Sequence, residues 1–267
     1  MASYDLREEL PQRNALLVEL IGFSAIIGLW TLITEMEWIP VGILPSPLKV
    51  GRAIIEMNSQ DALIANAVQS LKVNVLGLLE AVILGLPLGL AIGLNKYLRA
   101  LCKRFIVVIR FLPLTILIGL FIAWFKLGDF MKIQFLATSI FLYLLPAVLQ
   151  RVREVEDVYV QTVTTLGATK WQSVWYVFLP AVVSRSFDDI INLGAISWTY
   201  IVAAEMSDMY GGGLGALSYL AARQSRVDKL FGLVIIIILI GFLLDKVQLY
   251  LDKTLFAYKY ANKEHGR

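Results

Sequence analysis

The sequence predicts an all-α protein that crosses a membrane about six times, and three observations lead there. Of its 267 residues, 58% are hydrophobic and 17% charged, with mean hydropathy +0.71, a balance outside that of soluble globular domains. The apolar residues fall in runs of about 15 to 25 instead of alternating over about 10, which marks spanning helices and not barrel strands. Lys and Arg gather on alternate connections, so the runs have a consistent orientation.

The spans are expected at residues 15–34, 68–94, 105–125, 132–150, 186–206 and 230–250 of a single domain, 1–267. The leading segment "MASYDLREELPQRN" carries Asp5, Glu8 and Glu9 and has no small-residue cleavage site, so the first span is expected to stay in the mature chain. Residues 46–58, "SPLKVGRAIIEMN", read as a short amphipathic helix on the outer surface with Val50, Ile54 and Met57 on one side. In the second span Gly77, Ala81, Gly85, Gly89 and Gly93 recur every four residues, a small-residue stripe that lets another backbone approach closely. Pro87 and Pro113 each remove a backbone donor and are expected to kink the second and third spans. Lys126, Asp129 and Lys132 form the next outer turn and read as solvated loop charges, with contact to a partner protein as the alternative.

Six spans place both termini on one side. That side collects Arg7, Arg13, Lys96, Arg99, Lys103, Arg104, Arg151, Arg153, Lys170, Arg185, Lys246, Lys253, Lys259, Lys263 and Arg267, nearly twice the number on the other, which makes it cytoplasmic. The connection between the fourth and fifth spans then faces the cytoplasm.

That connection, about 155–180, is too polar to cross: "VEDVYVQTVTTLGATKWQSVWYVFLP". Gly167 suits a left-handed C-terminal position after a short helix, and Thr169 with Gln172 three residues on gives the reciprocal cap of a second. In that second helix Trp171, Val174, Trp175 and Phe178 share a face while Lys170 and Ser173 point elsewhere. Pro180 fits the first turn of the fifth span, where its missing N–H costs little. On spacing alone the aromatic face suits either a helix lying at the headgroups or one docking into a protein groove.

The segment resembles the cytoplasmic loop of permease subunits of ATP-binding-cassette importers, which follows Glu-Ala-Ala, three residues, Gly, nine residues, Ile, one residue, Leu-Pro. Gly167 stands at the glycine, Ala168 at the small residue after it, Val177 at the isoleucine, and Leu179 and Pro180 at the ending. Gln161, Thr162 and Val163 replace the Glu-Ala-Ala triplet, losing the charge at its first place. The order of "LPSPLKV" (44–50), "WTYIVAAEM" (198–206) and "GGGLGALSYLAAR" (211–223) extends the resemblance to the branch that carries taurine, alkanesulfonates, nitrate, bicarbonate and thiamine-precursor pyrimidines.

The resemblance implies an inner-membrane importer built from two permease copies and two ATP-binding-cassette ATPase subunits, fed by an external solute-binding protein. Gln161, Gly167, Ala168, Thr169, Trp171, Trp175, Leu179 and Pro180 would then form the coupling insert. No G-x-x-x-x-G-K-[ST] phosphate loop occurs in the chain, so ATP and Mg are expected in the partner subunit and no cofactor in this one. The glycine run at 211–215 lacks a following lysine and reads as a flexible turn.

Candidates for a translocation pathway are Glu80 and Arg110, charges inside apolar spans that alternatively pair with each other, and Ser197, Trp198, Tyr200 and Glu205 of the fifth span, which the resemblance makes a cavity-lining helix; Glu205 would repel an anion and suits gating or a helix-to-loop contact as well as binding. Asp188 and Asp189 read as structural, near the start of that span and within reach of Arg185. One cysteine, Cys102, and one histidine, His265, are too few for the usual soft-metal or His-based catalytic constellations. No nucleic-acid partner is expected. An ion-coupled secondary carrier is the alternative; it predicts inverted repeats with broken helices, and no such internal match is present. A membrane enzyme would need converging acid, base or nucleophile groups at one depth, and intramembrane charges are sparse.

Overall fold

The computed structural model describes residues 10–109 and 111–264. Arg110 and His265 lie outside the described residues. The described chain is helical throughout: α1 (Gln12–Glu35), α2 (Pro47–Gln60), α3 (Leu63–Leu94), α4 (Lys96–Ile109), a 3-10 turn and α5 (Leu117–Phe125), α6 (Asp129–Arg153), α7 (Asp157–Thr165), α8 (Lys170–Ser173), α9 (Leu179–Met206), α10 (Leu214–Arg223), α11 (Val227–Leu255) and α12 (Ala257–Glu264). Four of them, α1, α3, α6 and α11, are individually long and apolar enough to cross a membrane. The element carrying the expected fifth span, α9, is long enough at 28 residues but holds Arg185, Asp188, Asp189 and Glu205.

The expected third span is not one helix. Helices α4 and α5 meet at 85° across a short break that contains Pro113. Proline cannot donate to the preceding turn and pushes Leu112 out of the helical region, so the run breaks where a kink was expected. Pro87, in contrast, is absorbed within an unbroken α3.

The core is the pairing of α3 with α6, and the small-residue stripe makes it. Gly77 faces Leu136, Gly85 faces Leu144, Gly89 faces Val148 and Gly93 faces Val152, so the two helices run parallel in a fixed register. A Cβ added at Gly89 would stand 2.5 Å from Val148 Cγ1, a distance real side chains do not tolerate. Ala81 and Ile140, both fully buried, continue the same seam. Helix α9 packs against both members and α11 against α9 and α10. The amphipathic α2 buries Val50, Ala53 and Met57, and its Ile54 reaches Gly232 of α11.

Helices α1 and α4 stand apart: α4 buries no residue, and α1 is joined mainly through Trp30, whose indole N–H donates to the Pro45 carbonyl at 3.0 Å. Large apolar side chains on the outer faces, such as Ile83, Ile238 and Phe242, are exposed as a lipid-facing surface requires.

Candidate functional site

The 155–180 insert is built from local hydrogen bonds. Helix α7 ends at Gly167, whose φ of +86° is the left-handed conformation that favours glycine. The Gly167 and Ala168 N–H groups return to the Thr164 and Val163 carbonyls at 2.9 and 3.0 Å, closing the end of α7. The Thr169 N–H donates to Gln172 Oε1 at 2.7 Å and the Gln172 N–H to Thr169 Oγ1 at 3.4 Å, so the reciprocal cap read in the sequence is formed.

Downstream of that cap no break occurs. Helix α8 passes through a π-helical stretch, Val174–Phe178, into α9, with Val174, Phe178 and Leu179 all right-handed. Pro180 sits in the first turn of α9, and the helical path runs from Lys170 to Met206. Sequence periodicity does not reveal the π stretch, because a single widened turn leaves the apolar pattern intact.

The two faces of the insert differ. Trp171, Val174 and Trp175, with Lys170, line an apolar groove of about 790 Å³ against Leu86, Leu90 and Leu94 of α3. Ser173, expected to point away, is buried instead and donates to the Thr169 carbonyl at 3.2 Å. On the other side Tyr159, Thr162, Tyr176 and Arg185 line a more polar groove of about 600 Å³ that α12 borders through Tyr258 and Lys259. Gln161 is exposed on α7, and Leu166, at the tip, is 82% exposed.

Ion pairs fasten the start of α9. Arg151 forks onto Asp189, with both bonds at 2.8 Å, and pairs with Glu154, whose carboxyl it holds below the usual range. Asp188 accepts from Lys259 at 2.6 Å, and Lys259 also meets the fully buried Asp252, to which the Tyr260 hydroxyl donates. Tyr258 donates to the Pro180 carbonyl at 3.0 Å. Arg185, expected beside the two aspartates, donates to the Glu154 carbonyl instead, at 2.8 Å.

At the far end α9 is closed by a buried polar cluster. Glu205, fully buried, accepts from Ser70 Oγ at 2.7 Å and from the Gly215 N–H at 2.8 Å. Ser70 Oγ in turn accepts from the Leu214 N–H at 2.8 Å, and Asn66 Oδ1 from the Gly213 N–H at 2.7 Å. A Cβ at Gly213 would overlap the Glu205 carboxylate, so the glycine run after α9 is a close-fitting cap and not a loose turn. Lys132 is also fully buried, 3.1 Å from Asp208, and donates to the Gly211 carbonyl at 3.2 Å. The sequence reading of Lys132 as a solvated loop charge is therefore wrong: the folded-back loop covers it. Asp129 accepts from Gln69 at 2.6 Å.

The remaining candidates are distributed. Glu80 accepts from Gln134 at 2.9 and 2.8 Å, on α3 and α6 respectively, and its alternative partner Arg110 lies outside the described residues. Ser197 exchanges hydrogen bonds with Asn74 at 2.8 and 3.1 Å and is buried, as is Trp198. Tyr200 stacks on Tyr143 with hydroxyls 3.2 Å apart. Asn66, Ser70 and Asn74 were not singled out in the sequence, although they recur every four residues just ahead of the glycine stripe, ending three residues before Gly77.

Residues 81–256 match the family of binding-protein-dependent transport system inner membrane components, a stretch holding most of the α3–α6 seam, the insert, and Glu205 with the glycine loop of the far-end cap. The chain belongs to that family. As a member it is a multi-pass permease subunit of an ATP-binding-cassette transporter, whose family works with ATPase and solute-binding partners. It is 32% identical over 199 residues, 74% of each chain, to MJ0413 of Methanocaldococcus jannaschii, a protein named as an ABC transporter permease. It is 27% identical to the taurine transport system permease protein TauC of Escherichia coli over 228 residues, 83% of this chain and 82% of TauC. A crystal structure of an amino acid ABC transporter with histidines superposes with a TM-score of 0.58 over 76% of this permease and 96% of that chain, at 19% identity, a likeness of fold.

Proposed function

We propose that this permease is half of the membrane pathway of an ATP-driven importer for a small anion such as a sulfonate, nitrate or bicarbonate. The insert faces the cytoplasm and docks on an ATP-binding-cassette subunit that holds ATP and Mg, a second permease copy completes the pathway, and an external solute-binding protein delivers to the far end. The excess of Lys and Arg on the insert side supports this orientation, and the taurine relative supports the class of solute.

One observation carries the mechanism: the helical path from Lys170 to Met206 has no break. A capped helix is stiff, so a displacement imposed on the insert is carried along the whole of α9, which pivots on the end that Glu205 fastens to α3 and to the covering loop. Leu166, Tyr159 and Tyr176 supply exposed apolar and aromatic anchors for a partner groove. Trp171 and Trp175, 71% and 60% exposed where they line the groove against α3, keep the insert at the membrane surface.

Affinity purification from the native membrane in mild detergent, followed by mass spectrometry, tests this reading. A stoichiometric ATP-binding subunit is expected, retained in wild type and lost when Leu166 and Tyr176 are both changed to Asp. Replacing Trp171 and Trp175 together by Asp is expected to weaken the same complex by misplacing the insert. Recovery of the permease with no ATPase in several detergents would overturn the proposal in favour of an ion-coupled carrier.

A further inference from the structure

Asn192 and Thr199 are exposed on one face of α9, inside the membrane-embedded stretch, and Tyr200 borders them. Among the described residues neither Asn192 nor Thr199 makes a side-chain hydrogen bond. Across from them on α6 is Tyr143, 36% exposed, which stands 14 positions into that helix, about 21 Å from its far end at 1.5 Å per residue. An amide or hydroxyl facing hydrocarbon at that depth is costly, so a face holding several of them is wetted or carries a polar ligand.

The hydroxyls of Tyr143 and Tyr200 are 3.2 Å apart, with the rings stacked at 6.3 Å between centroids. When one hydroxyl donates to the other, the second keeps its hydrogen for a third group. The ring of Tyr200 is fixed from behind by Phe135, edge-on at 6.4 Å. The pair is thus a preset donor on a rigid aromatic base, with the Asn192 amide and the Thr199 hydroxyl along the same face.

The three carboxylates of α9 itself are already used. Glu205 is turned away into Ser70 and Gly215, Asp188 is held by Lys259, and Asp189 by Arg151. Asp245 of α11 makes no ion pair among the described residues, but it lines a small cavity with Ile191, Gly194 and Ala195, nearer the insert end of α9 than Tyr200 is. Neutral donors that bind weakly enough to release are what a translocation step requires.

We propose that the Tyr143–Tyr200 hydroxyl pair, with Asn192 and Thr199, is this permease's half of a site that receives the oxygens of a small oxyanion within the membrane. The solute class rests on the importer reading; the placement of the site does not.

The test uses the full importer in membrane vesicles, with Cys102→Ser removing the natural thiol and single cysteines placed at 143, 199 and, as a lipid-facing control, 238. The probes are the anionic sulfonatoethyl and the cationic trimethylammonioethyl methanethiosulfonates. Positions 143 and 199 are expected to react with the anionic probe about ten-fold faster than position 238, and faster than with the cationic one, with millimolar taurine slowing them; ten-fold is the effect of one hydrogen bond to a charged group. Tyr143→Phe is expected to raise the KM for taurine uptake while leaving ATPase assembly intact. Reaction no faster than at 238 would overturn the site, and preference for the cationic probe would overturn its ligand class. The expected labelling in vesicles that show no ATP-dependent uptake would leave the site standing and sink the importer reading.

Discussion

The two ends of α9 are fastened in opposite ways. At the far end Glu205, Ser70, Lys132 and Asp208 are all nine-tenths or more buried, and a glycine loop is folded over them. At the insert end Arg151–Asp189 and Lys259–Asp188 are partly exposed and the insert's own hydrogen bonds are local. Buried polar groups are expensive to separate and exposed pairs are cheap. One end of the helix therefore acts as an anchor and the other is free to be moved, which suits a lever driven from the insert side.

The largest effect is expected at the anchor. Lys132→Ala leaves Asp208 buried without its partner and should cost about 3–5 kcal/mol, read as a fall in the thermal unfolding temperature in detergent. Lys126→Ala, in the same outer turn but exposed, should stay within about 0.5 kcal/mol. Equal losses would erase the contrast between buried and exposed charge.

Next comes the seam that both ends share. Gly89→Leu should cost about 1–3 kcal/mol by overpacking against Val148, whereas Gly28→Leu, where nothing lies within 4 Å, should be neutral. Partial rescue of Gly89→Ala by Val148→Ala would localise the effect to this contact.

At the insert, Gly167→Val forces a β-branched residue into a left-handed conformation at about 1–3 kcal/mol, confined to the α7–α8 junction. The bundle should assemble normally while ATP hydrolysis proceeds without solute uptake. Uptake at the wild-type rate per ATP would show that the junction's geometry does not matter for coupling.

The smallest effect concerns the charged clasp of α2 to α11, also at the far end. Arg226 and then Lys229 hold the Glu56 carboxyl down to about 2. A depressed carboxyl contributes its stability above its unfolded value, near 4.5, and loses it as pH falls toward about 2. Hydrogen exchange in α2 should therefore be flat from pH 7 to about pH 5 after correction for intrinsic rates, and protection should fall only below that window. Loss of protection at pH 6 would contradict the pairing.

The sequence made the repetitive features legible and left the long-range ones hidden. The glycine stripe has a period that only a close helix partner explains, and its partner proved to be α6. The cap of Thr169 with Gln172 and the turn at Gly167 are local, so residue types at fixed offsets were enough. Lys132 was misread because its burial depends on a loop some 80 positions away, folded back over α6. Glu205 is singled out by the family resemblance, with a helix-to-loop contact as one of its readings, and that contact is what forms; its partners, Ser70 and the Gly215 N–H, come from another helix and from the glycine run read as a flexible turn. Asn66, Ser70 and Asn74 were the available signal, since they form a second four-residue repeat just ahead of the stripe, polar where the stripe is small.

The central claim is that the insert meets an ATPase while the opposite end meets the outside. Leu166 and Tyr210, 82% and 93% exposed, mark the two ends. In a Cys102→Ser background, Leu166→Cys and Tyr210→Cys can each carry a short photo-crosslinker in native membranes. The account predicts an adduct with an ATP-binding polypeptide from position 166 and none from position 210. An ATPase adduct from position 210, or from neither position in a transport-competent membrane, would contradict it.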